Sequence, residues 1–438
     1  MINIKTPSGF KEEKEYIFHI IFEHTMGIPF STRQVSDKYY KIQINNKTLL
    51  INNTFFSHEG KEDTYLPLKI PPKVKFAKNE FLSETDIPVI YGTPDIKVEE
   101  NKIYCGIDII ASCFFMLTRW EEYVCKARDQ YGRFPVKEAL AFKHGFLHRP
   151  VVNEYIEMLW NMLQRLGYRG ERKKRQFRDI PTHDIDKFFF PAKIKNIAGD
   201  ILKGRGINKA MRRYRLRETN HYDTFDWLMD TSEKQGLQSR FYFINHPVIS
   251  DKNADYRIDN KMVESTIQNI RQRGHIIGIH PSFDTYNDPE MLKKEKDSFG
   301  KHFGLTITEG RQHFLRFEVP HTWQNWKECG MQIDSTLGYA EYSGFRCGTA
   351  DEFPVFNVLT RKTLPLKERP LIFMDATYQN KKYQKSGTEE VAVQFRHFRD
   401  ICRKYNMPFT FLFHNSGFNP MYFGRWKEMY ENLFTQQV

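Results

Sequence analysis

Two carboxylates two residues apart, Asp184 and Asp186, are the feature of this chain that most directly suggests chemistry. They follow residues 177–181, a short segment that could be a strand. On an extended backbone, residues i and i+2 point to the same face, so both carboxylates would reach into one cavity if the strand continues. One carboxylate could then hold a metal ion while the other accepts a proton from an activated water. The alternative is a solvated turn in which both side chains cap a helix.

A histidine and an aspartate follow a second apolar segment, residues 276–279. His280 stands at its carboxyl end, where the functional groups of a parallel sheet are expected. His275 lies five residues earlier and would face the opposite side of the strand, so we interpret it as structural. Asp284 follows His280 by four residues, a spacing that can bring two ligands together on a turn. The alternative for Asp284 is a capping or turn residue.

Arginine and histidine side chains accompany two later strand candidates. Arg311 and Arg316 lie in or just before segment 314–317. Either guanidinium could fix and ionise a catalytic carboxylate through a charge-assisted hydrogen bond. His414 directly follows the apolar segment 409–413, a position that suits a general acid. The alternative for His414 is a hydrogen-bonded histidine of the core.

Strands and helices alternate in the second part of the chain. The helical patterns at 261–273 and 289–299 separate short apolar runs that we interpret as strands. These runs are residues 241–244, 276–279, 314–317, 371–374 and 409–413. The alternation predicts an α/β domain with parallel strands, whose sites lie at the strand carboxyl ends.

The basic, polar segment 167–178 is the predicted domain boundary. Before it, alternating segments predict strands, and two longer apolar patterns predict helices over 107–124 and 151–166. We therefore predict an N-terminal α+β domain over residues 1–170 and a catalytic domain over residues 176–438.

The charge of the chain restricts its possible partners. The net charge is +12, and much of the basic charge falls in two runs, within residues 169–178 and 203–217. Such runs attract polyanions, although a solvated linker and a solvated helix face are the alternative. No zinc finger, RNP-type motif or Gly-rich phosphate loop accompanies them, so a specific nucleic-acid partner is not expected. Weak association with an anionic membrane surface remains compatible with the charge.

The cysteines and apolar runs indicate a cellular location. Six cysteines are scattered without a C-x-x-C pair, which argues against a structural zinc site and fits free thiols in the cytoplasm. The longest mostly apolar run, residues 109–118, is too short to span a bilayer. Residues 1–5 contain no apolar signal core. We therefore expect a cytoplasmic protein.

The order of the motifs resembles the NodB homology domain of polysaccharide deacetylases, carbohydrate esterase family four. The shared motifs are D-x-D at 184–186, G-H-x-x-G-x-H at 274–280, Arg and Pro at 316 and 320, and an apolar strand with His at 411–414. The resemblance covers about residues 180–438. Residues 1–170 are similar, more loosely, to the uncharacterised region that precedes such domains in some bacterial surface-polysaccharide proteins. The resemblance implies a distorted (β/α) barrel of the NodB type, preceded by a smaller α+β domain.

The resemblance also implies a role for each of several residues. Asp184 matches the catalytic base, Asp186 the metal-binding aspartate and His280 the first metal histidine. Arg316 resembles the arginine that orients the base. His414 matches the histidine that protonates the leaving amine. The implied cofactor is a divalent metal ion, and zinc is the ion expected at an Asp/His site.

Two departures leave alternatives open. The family usually has adjacent aspartates and a second metal histidine four residues after the first, where this chain has Asp284. Either Asp284 replaces that histidine as the third metal ligand, or His313 completes the set. The aspartate that partners His414 is also open. Asp334 lies in a segment that resembles the family's, and Asp375 ends a strand candidate.

These observations predict a metal-dependent hydrolase that removes an acetyl group from an N-acetylated sugar of a surface polysaccharide or its precursor. An N-acetylated glycan is the expected partner. The alternative is a non-catalytic glycan-binding or assembly protein with a relict deacetylase site. A glycosidase is a weaker interpretation, because its two carboxylates must flank a sugar bond and two residues on one strand face cannot readily do so.

Overall fold

The computed structural model groups the chain into two compact units. It describes residues 1–57, 70–71, 73–191, 211, 219–250, 252–420 and 423–434. The first unit comprises Met1–Gln176, Glu318–Gln324 and Gly344–Pro370, and the second comprises Phe177–Phe317, Asn325–Ser343 and Leu371–Val438. The predicted boundary assigned Glu318–Gln324 and Gly344–Pro370 to the second domain, whereas the structure groups both stretches with the first unit.

Both strands and helices are spread along the whole chain. The strands are β1 (Ile2–Pro7), β2 (Phe30–Val35), β3 (Tyr39–Ile44), β4 (Lys47–Asn52), β5 (Lys75–Lys78), β6 (Asp86–Val89), β7 (Gly92–Val98), β8 (Lys102–Ile107), β9 (Arg178–Ile185), β10 (Arg240–Phe243), β11 (Ile276–Ile279), β12 (Glu309–Gly310), β13 (Ile333–Asp334), β14 (Phe353–Asn357), β15 (Lys362–Glu368), β16 (Phe373–Met374) and β17 (Pro408–Leu412). The α-helices are α1 (Lys11–Phe18), α2 (Ile109–Leu117), α3 (Trp120–Val124), α4 (Leu140–Lys143), α5 (Val151–Arg165), α6 (Phe225–Lys234), α7 (Lys261–Gln272), α8 (Pro289–Phe303), α9 (His321–Glu328), α10 (Asp375–Gln379), α11 (Thr388–Lys404) and α12 (Trp426–Asn432). A π-helix, His19–Met26, continues α1.

The first unit is built on a mixed sheet with the strand order β2-β1-β3-β4-β8-β7. Along β1, Ile2 and Ile4 are buried while Asn3 and Lys5 are exposed, so one face of the strand packs on the core. The helix predicted over 107–124 is divided into α2 and α3. The division follows from Arg119, which takes a left-handed conformation (φ 53°) between them.

A buried ion cluster follows that division. The guanidinium of Arg119 donates to Glu121 at 2.5 Å and to Glu122 at 2.9 Å. Arg346 donates two further hydrogen bonds to the Glu122 carboxylate, at 2.9 and 2.6 Å. The Glu121 carboxylate also accepts the backbone N–H of Leu140. Because breaking a buried ion pair leaves an uncompensated charge, this cluster should make the first unit sensitive to acid.

We expect the Glu122 carboxylate to stabilise the first unit only above acidic pH. Burial alone would raise the pKa of Glu122, but Arg346 and Arg119 outweigh burial and lower that pKa to about 2. Since the unfolded pKa is about 4.3, the stabilisation is present above that pH and is lost as the pH falls toward 2; it amounts to about 3 kcal/mol. The stabilisation is measured by urea denaturation of the wild type and of Glu122→Gln at several pH values between neutral and acidic.

The difference between these two proteins in free energy of unfolding should be largest above pH about 5 and should vanish toward pH about 2. The comparison cancels the opposite contribution of Glu121, whose pKa is raised by burial. Glu138→Gln is the matched control, because its pair with Lys143 is solvent-exposed and should contribute little. A Glu122→Gln difference that stays constant from pH 6 to 2.5 would contradict the prediction.

The second unit contains a row of parallel strands in the order β13-β12-β11-β10-β9-β17-β16. Strand β17, which pairs with β9 and β16, is buried along its whole length, as expected when both faces of a parallel sheet are covered. The predicted mixed α/β character is confirmed. In the described part of the chain no ladder joins β13 to β16, so the predicted barrel closure is not shown.

The parallel pairing brings several polar residues to one edge of this row. Asp184 lies at the end of β9, His280 directly after β11, and His414 two residues after β17. The strand predicted over 314–317 is wrong, because that region contains a 3-10 turn, His313–Leu315, and the strand is β12, four residues earlier.

The strands carrying the site lie close together. A Cβ at Gly278 would come within 2.4 Å of the Glu309 carbonyl oxygen.

Three sequence expectations concern features outside this edge. No helix among the described residues is long and apolar enough to cross a membrane. All six cysteines are free. In the first basic run, Arg172 is paired with Glu157 and Arg175 with Asp351. The second run, within residues 203–217, lies outside the described residues except for Met211, which carries no charge.

Candidate metal centre and active site

The two aspartates of the D-x-D motif both lie at the carboxyl end of the parallel strands. Asp184 is buried at the end of β9, and Asp186 follows the strand with its side chain 27% exposed. The side chain of His183 points away from the two aspartates. It interacts with the Phe413 carbonyl (2.7 Å) and the Ser239 hydroxyl (3.3 Å). Burial lowers the pKa of His183 to about 4, so this imidazole is neutral at pH 7. The i, i+2 alternation thus separates the two carboxylates from the histidine beside them.

Asp186, His280 and His313 form a group that could hold a metal ion. The Asp186 Oδ1 atom lies 3.2 Å from His280 Nε2 and 3.4 Å from His313 Nδ1, and the two nitrogens are 2.9 Å apart. Asp186 Oδ1 is buried and has no hydrogen-bond partner within the described ranges. Tetrahedral ligands about 2.0–2.1 Å from zinc are roughly 3.4 Å apart, so the donor spacing fits a small divalent cation.

Neighbouring groups orient these donors. His280 Nδ1 lies 2.5 Å from the Arg311 carbonyl oxygen, so Nδ1 carries the hydrogen and the Nε2 lone pair faces the cluster. The backbone N–H of Arg311 donates to Ile279, and that of His313 donates to Pro281. Gln312 adds a side-chain bond to the Ser282 carbonyl. The chain after β12 is therefore tied to the chain after β11, and this brings His313 to His280.

The charges of the cluster also suit metal binding. Burial would raise the pKa of Asp186, but the imidazoles of His313, His280 and His414 outweigh burial and hold that pKa below its usual range. Burial lowers the pKa of His313 to about 3, so this imidazole is neutral at pH 7 and can ligate. Burial acts to lower the pKa of His280, yet Asp184 and Asp186 raise it. A cation would have to displace any proton that His280 Nε2 holds.

The structure places Asp284 away from this group. Its carboxylate is 76% exposed and lies 3.4 Å from Arg316 Nη1. The prediction of Asp284 as a ligand assumed a turn that brings i and i+4 together. Instead, the chain after His280 is irregular up to the 3-10 turn Thr285–Asn287, so Asp284 does not return to His280. Of the two sequence alternatives for the third ligand, the geometry favours His313.

The arginine that contacts Asp184 is Arg311 rather than Arg316. Arg311 is buried, and its Nη1 donates to Asp184 Oδ1 at 2.8 Å and to Thr182 Oγ1 at 3.0 Å. Its other nitrogens donate to the carbonyl and hydroxyl of Ser335. The strand predicted over 314–317 left both arginines open, and the choice of Arg316 came from the resemblance of Arg316 and Pro320 to the family's motif. Arg311 directly follows the true strand β12, whereas Arg316 donates to the Phe283 carbonyl.

Ser335 was missed by the sequence reasoning. It directly follows β13 and lies within the segment 330–336 that resembles the family, so its position after a strand was the available signal. Its hydroxyl and carbonyl hold the Arg311 guanidinium from the side opposite to the carboxylate contact, at 3.0 and 2.8 Å. The orientation of Arg311 toward Asp184 therefore depends on a residue from a third strand end.

His414 is held by Asp375. His414 Nδ1 lies 2.7 Å from Asp375 Oδ1, and the His414 backbone N–H donates to Asp375 Oδ2 at 2.9 Å. Burial acts to lower the pKa of His414, but Asp375, Asp186 and Asp184 together raise it to about 10. His414 Nε2 lies 3.7 Å from Asp186 Oδ2. The other sequence candidate, Asp334, accepts hydrogen bonds from the Thr336 backbone and hydroxyl instead.

Known proteins resemble this chain only in part. A family model described as a family of unknown function (DUF7033) matches residues 2–168. No curated protein matches the chain. Among solved structures, the chain is similar to one from Mycobacterium smegmatis that is provisionally described as a polysaccharide deacetylase, with 13% sequence identity and a TM-score of 0.39 over 60% of this chain and 85% of that chain. A TM-score this low does not establish a shared fold.

Proposed function

We propose that this chain is a metal-dependent hydrolase that removes the acetyl group from an N-acetylated sugar of a surface polysaccharide or its precursor. The observation that supports this most directly is the convergence of three metal-binding donors with a carboxylate and an imidazole. Asp184 Oδ2 lies 3.7 Å from His280 Nε2, and His414 Nε2 lies 3.7 Å from Asp186 Oδ2. We refer to Asp186, His280 and His313 as the donor group. A candidate base, Asp184, and a candidate acid, His414, thus lie beside the donor group.

Zinc is the ion that we propose for this group. One carboxylate and two imidazoles, Asp186, His280 and His313, correspond to the three-ligand sets of catalytic zinc sites. When bound, a divalent cation would polarise the amide carbonyl and lower the pKa of water, as a Lewis acid does.

Asp184 is placed to act as the general base. Its Oδ1 atom accepts the hydrogen bond from Arg311, which leaves Oδ2 on the side of His280. Because Arg311 holds the other carboxylate oxygen, Asp184 can accept the proton of the attacking water while staying fixed in place. The water oxygen then bonds to the acetyl carbon.

His414 is placed to act as the general acid. Asp375 holds its Nδ1, so the hydrogen on Nε2 points away from Asp375 and toward the donor group. The raised pKa keeps this imidazole protonated at pH 7. Breaking the C–N bond requires a proton on the departing nitrogen, and Nε2–H supplies it, giving acetate and a free amine.

The same contacts argue against glycoside hydrolysis. Both Asp184 and Asp186 approach the same His280 nitrogen, at 3.7 and 3.2 Å. Glycosidases need two carboxyl groups on either side of the scissile bond. Asp184 at the end of β9 and Asp186 directly after it approach that nitrogen from one strand end, which is not the placement on two sides of a sugar bond that a glycosidase needs.

Acetate release tests the proposal. The protein would be stripped with a chelator, reloaded with zinc and incubated with a panel of N-acetylated oligosaccharides. We expect acetate and free amine in equal amounts, unchanged chain length, and loss of turnover after chelation that zinc restores. New reducing ends would identify a glycosidase. Stoichiometric zinc and sugar binding without acetate release across the panel would favour the glycan-binding alternative.

A further inference from the structure

Aromatic side chains border the two segments that carry the candidate metal histidines. Phe283 and Tyr286 follow His280, and Phe314 follows His313 directly. The Phe314 ring lies 4.6 Å from the His313 ring at 81° and 5.2 Å from the Phe283 ring at 89°. We refer to Phe283, Tyr286 and Phe314 as the aromatic rim. These contacts place an edge-to-face aromatic cluster directly beside the donor group.

The backbone at Phe314 has an unusual conformation. Phe314 has φ 60° and ψ 11°, and Leu315 has φ 54°, so two consecutive bulky residues occupy the left-handed region. That region is unfavourable for such residues and is found where the surroundings enforce it, often at functional sites. Leu315 is buried in an apolar cluster with Leu371 and Leu412, so core packing accounts for its conformation. Phe314 is only half-buried, so burial alone does not explain why a ring is held there.

Arg316 holds the other part of the rim. Its guanidinium carbon lies 3.9 Å from the centre of the Phe283 ring and 3.9 Å from that of Tyr286. Its Nη1 donates to the Phe283 carbonyl at 2.5 Å and approaches Asp284 at 3.4 Å. A guanidinium between two aromatic faces favours one arrangement of both rings. Arg316 and Asp284, which do not reach the donor group, therefore support the rim instead.

We propose that Phe314 binds the sugar ring of the substrate by stacking and thereby positions its acetamido group at the donor group. The C–H face of a pyranose is apolar and weakly positive, and it complements the electron-rich face of an aromatic ring. A ring fixed next to His313 can hold a sugar whose substituent reaches that histidine. The identity of the substrate rests on the proposed function, whereas the binding of a sugar ring by Phe314 can be measured without turnover.

Phe314→Asn removes the ring and keeps the backbone, because asparagine tolerates the left-handed conformation. In zinc-loaded protein we expect KM for an N-acetylated oligosaccharide to rise about 5- to 10-fold, as for loss of one aromatic contact. The turnover number, zinc affinity and melting temperature should not fall. Phe314→Trp should restore KM. Phe303→Asn is the matched control, because Phe303 is also half-buried but packs on Phe299 and His302 of α8; it should leave KM unchanged.

Calorimetry with the same oligosaccharide in an Asp184→Asn background separates this inference from the proposed function. Binding about 5- to 10-fold weaker in Phe314→Asn would support the inference even if the wild type releases no acetate. Equal sugar affinity with and without the Phe314 ring would overturn it. Lower zinc affinity in Phe314→Asn with unchanged sugar affinity would also overturn it, since the strained turn would then serve to place His313.

Discussion

His313→Ala is expected to weaken zinc binding by about 10²-fold or more, while Asp284→Ala leaves zinc affinity unchanged. Loss of an outer hydrogen-bond partner alone costs roughly 10- to 100-fold in metal affinity, so loss of a direct ligand should cost at least as much. His313 Nδ1 lies within 3.4 Å of both other donors, whereas the Asp284 carboxylate is 76% exposed beside Arg316. Competition with a chromophoric chelator measures both affinities.

Asp284→Ala is itself the matched control, because Asp284 stands at the sequence position where the family that the motifs resemble usually has its second histidine. His280→Ala and Asp186→Ala should behave as His313→Ala does. If Asp284→Ala lost zinc and His313→Ala retained it, the donor set would be wrong and the turn after β11 would have to rearrange on binding. Negligible effects of both would favour a relict site.

The choice between these two ligands also changes the chemistry of the ion. A donor set of one carboxylate and two neutral imidazoles offsets one of the two charges of a divalent cation. A second carboxylate from Asp284 would offset both and make the cation a weaker Lewis acid. The set of Asp186, His280 and His313 is therefore the better one for activating water.

Asp184→Asn is expected to retain stoichiometric zinc but to lose about 10²- to 10⁴-fold in turnover number. The amide cannot accept the proton of water, although it can still accept the hydrogen bond that Arg311 now donates to Asp184 Oδ1 at 2.8 Å. Turnover number and zinc content, measured on the same sample, separate a lost base from a lost metal. We expect no comparable change in KM, because the proposed mechanism has Asp184 act on the water and not on the sugar ring.

Asp179→Asn is the control for this prediction. Asp179 also lies on β9 and is also paired with an arginine, Arg399, at 2.7 Å, but it stands at the other end of the strand. We expect Asp179→Asn to lower the melting temperature without changing the turnover number. If Asp184→Asn kept wild-type turnover, Asp184 would not be the base. If both variants lost turnover equally, the effect would come from β9 and not from the base.

The sequence by itself was sufficient where local geometry decides the outcome. The i, i+2 rule of extended backbone places Asp184 and Asp186 together on the edge of the sheet and turns His183 away from them. Apolar runs identify β11 and β17, and the polar residues that follow them, His280 and His414, reach the same edge. Each of these results depends on one strand and the residues next to it.

The tertiary structure decided which residues from different segments meet. His313 rather than Asp284 joins the donor group, because hydrogen bonds tie the chain after β12 to the chain after β11. Arg311 reaches Asp184 because β12 ends at Gly310, a boundary that a two-residue strand does not reveal by periodicity. Asp375 reaches His414 because β16 pairs with β17.

The division into units has the same origin. Segments 318–324 and 344–370 belong to the first unit although they follow the strands of the second in sequence. Composition along the chain reports only a linear boundary, as at residues 167–178. Alternation along β9 and the carboxyl ends of the apolar strands β11 and β17 are encoded within a few residues, and the sequence therefore determined them. Strand order, turn shape and the return of a distant segment depend on contacts between residues far apart in the chain, and only the folded structure decided them.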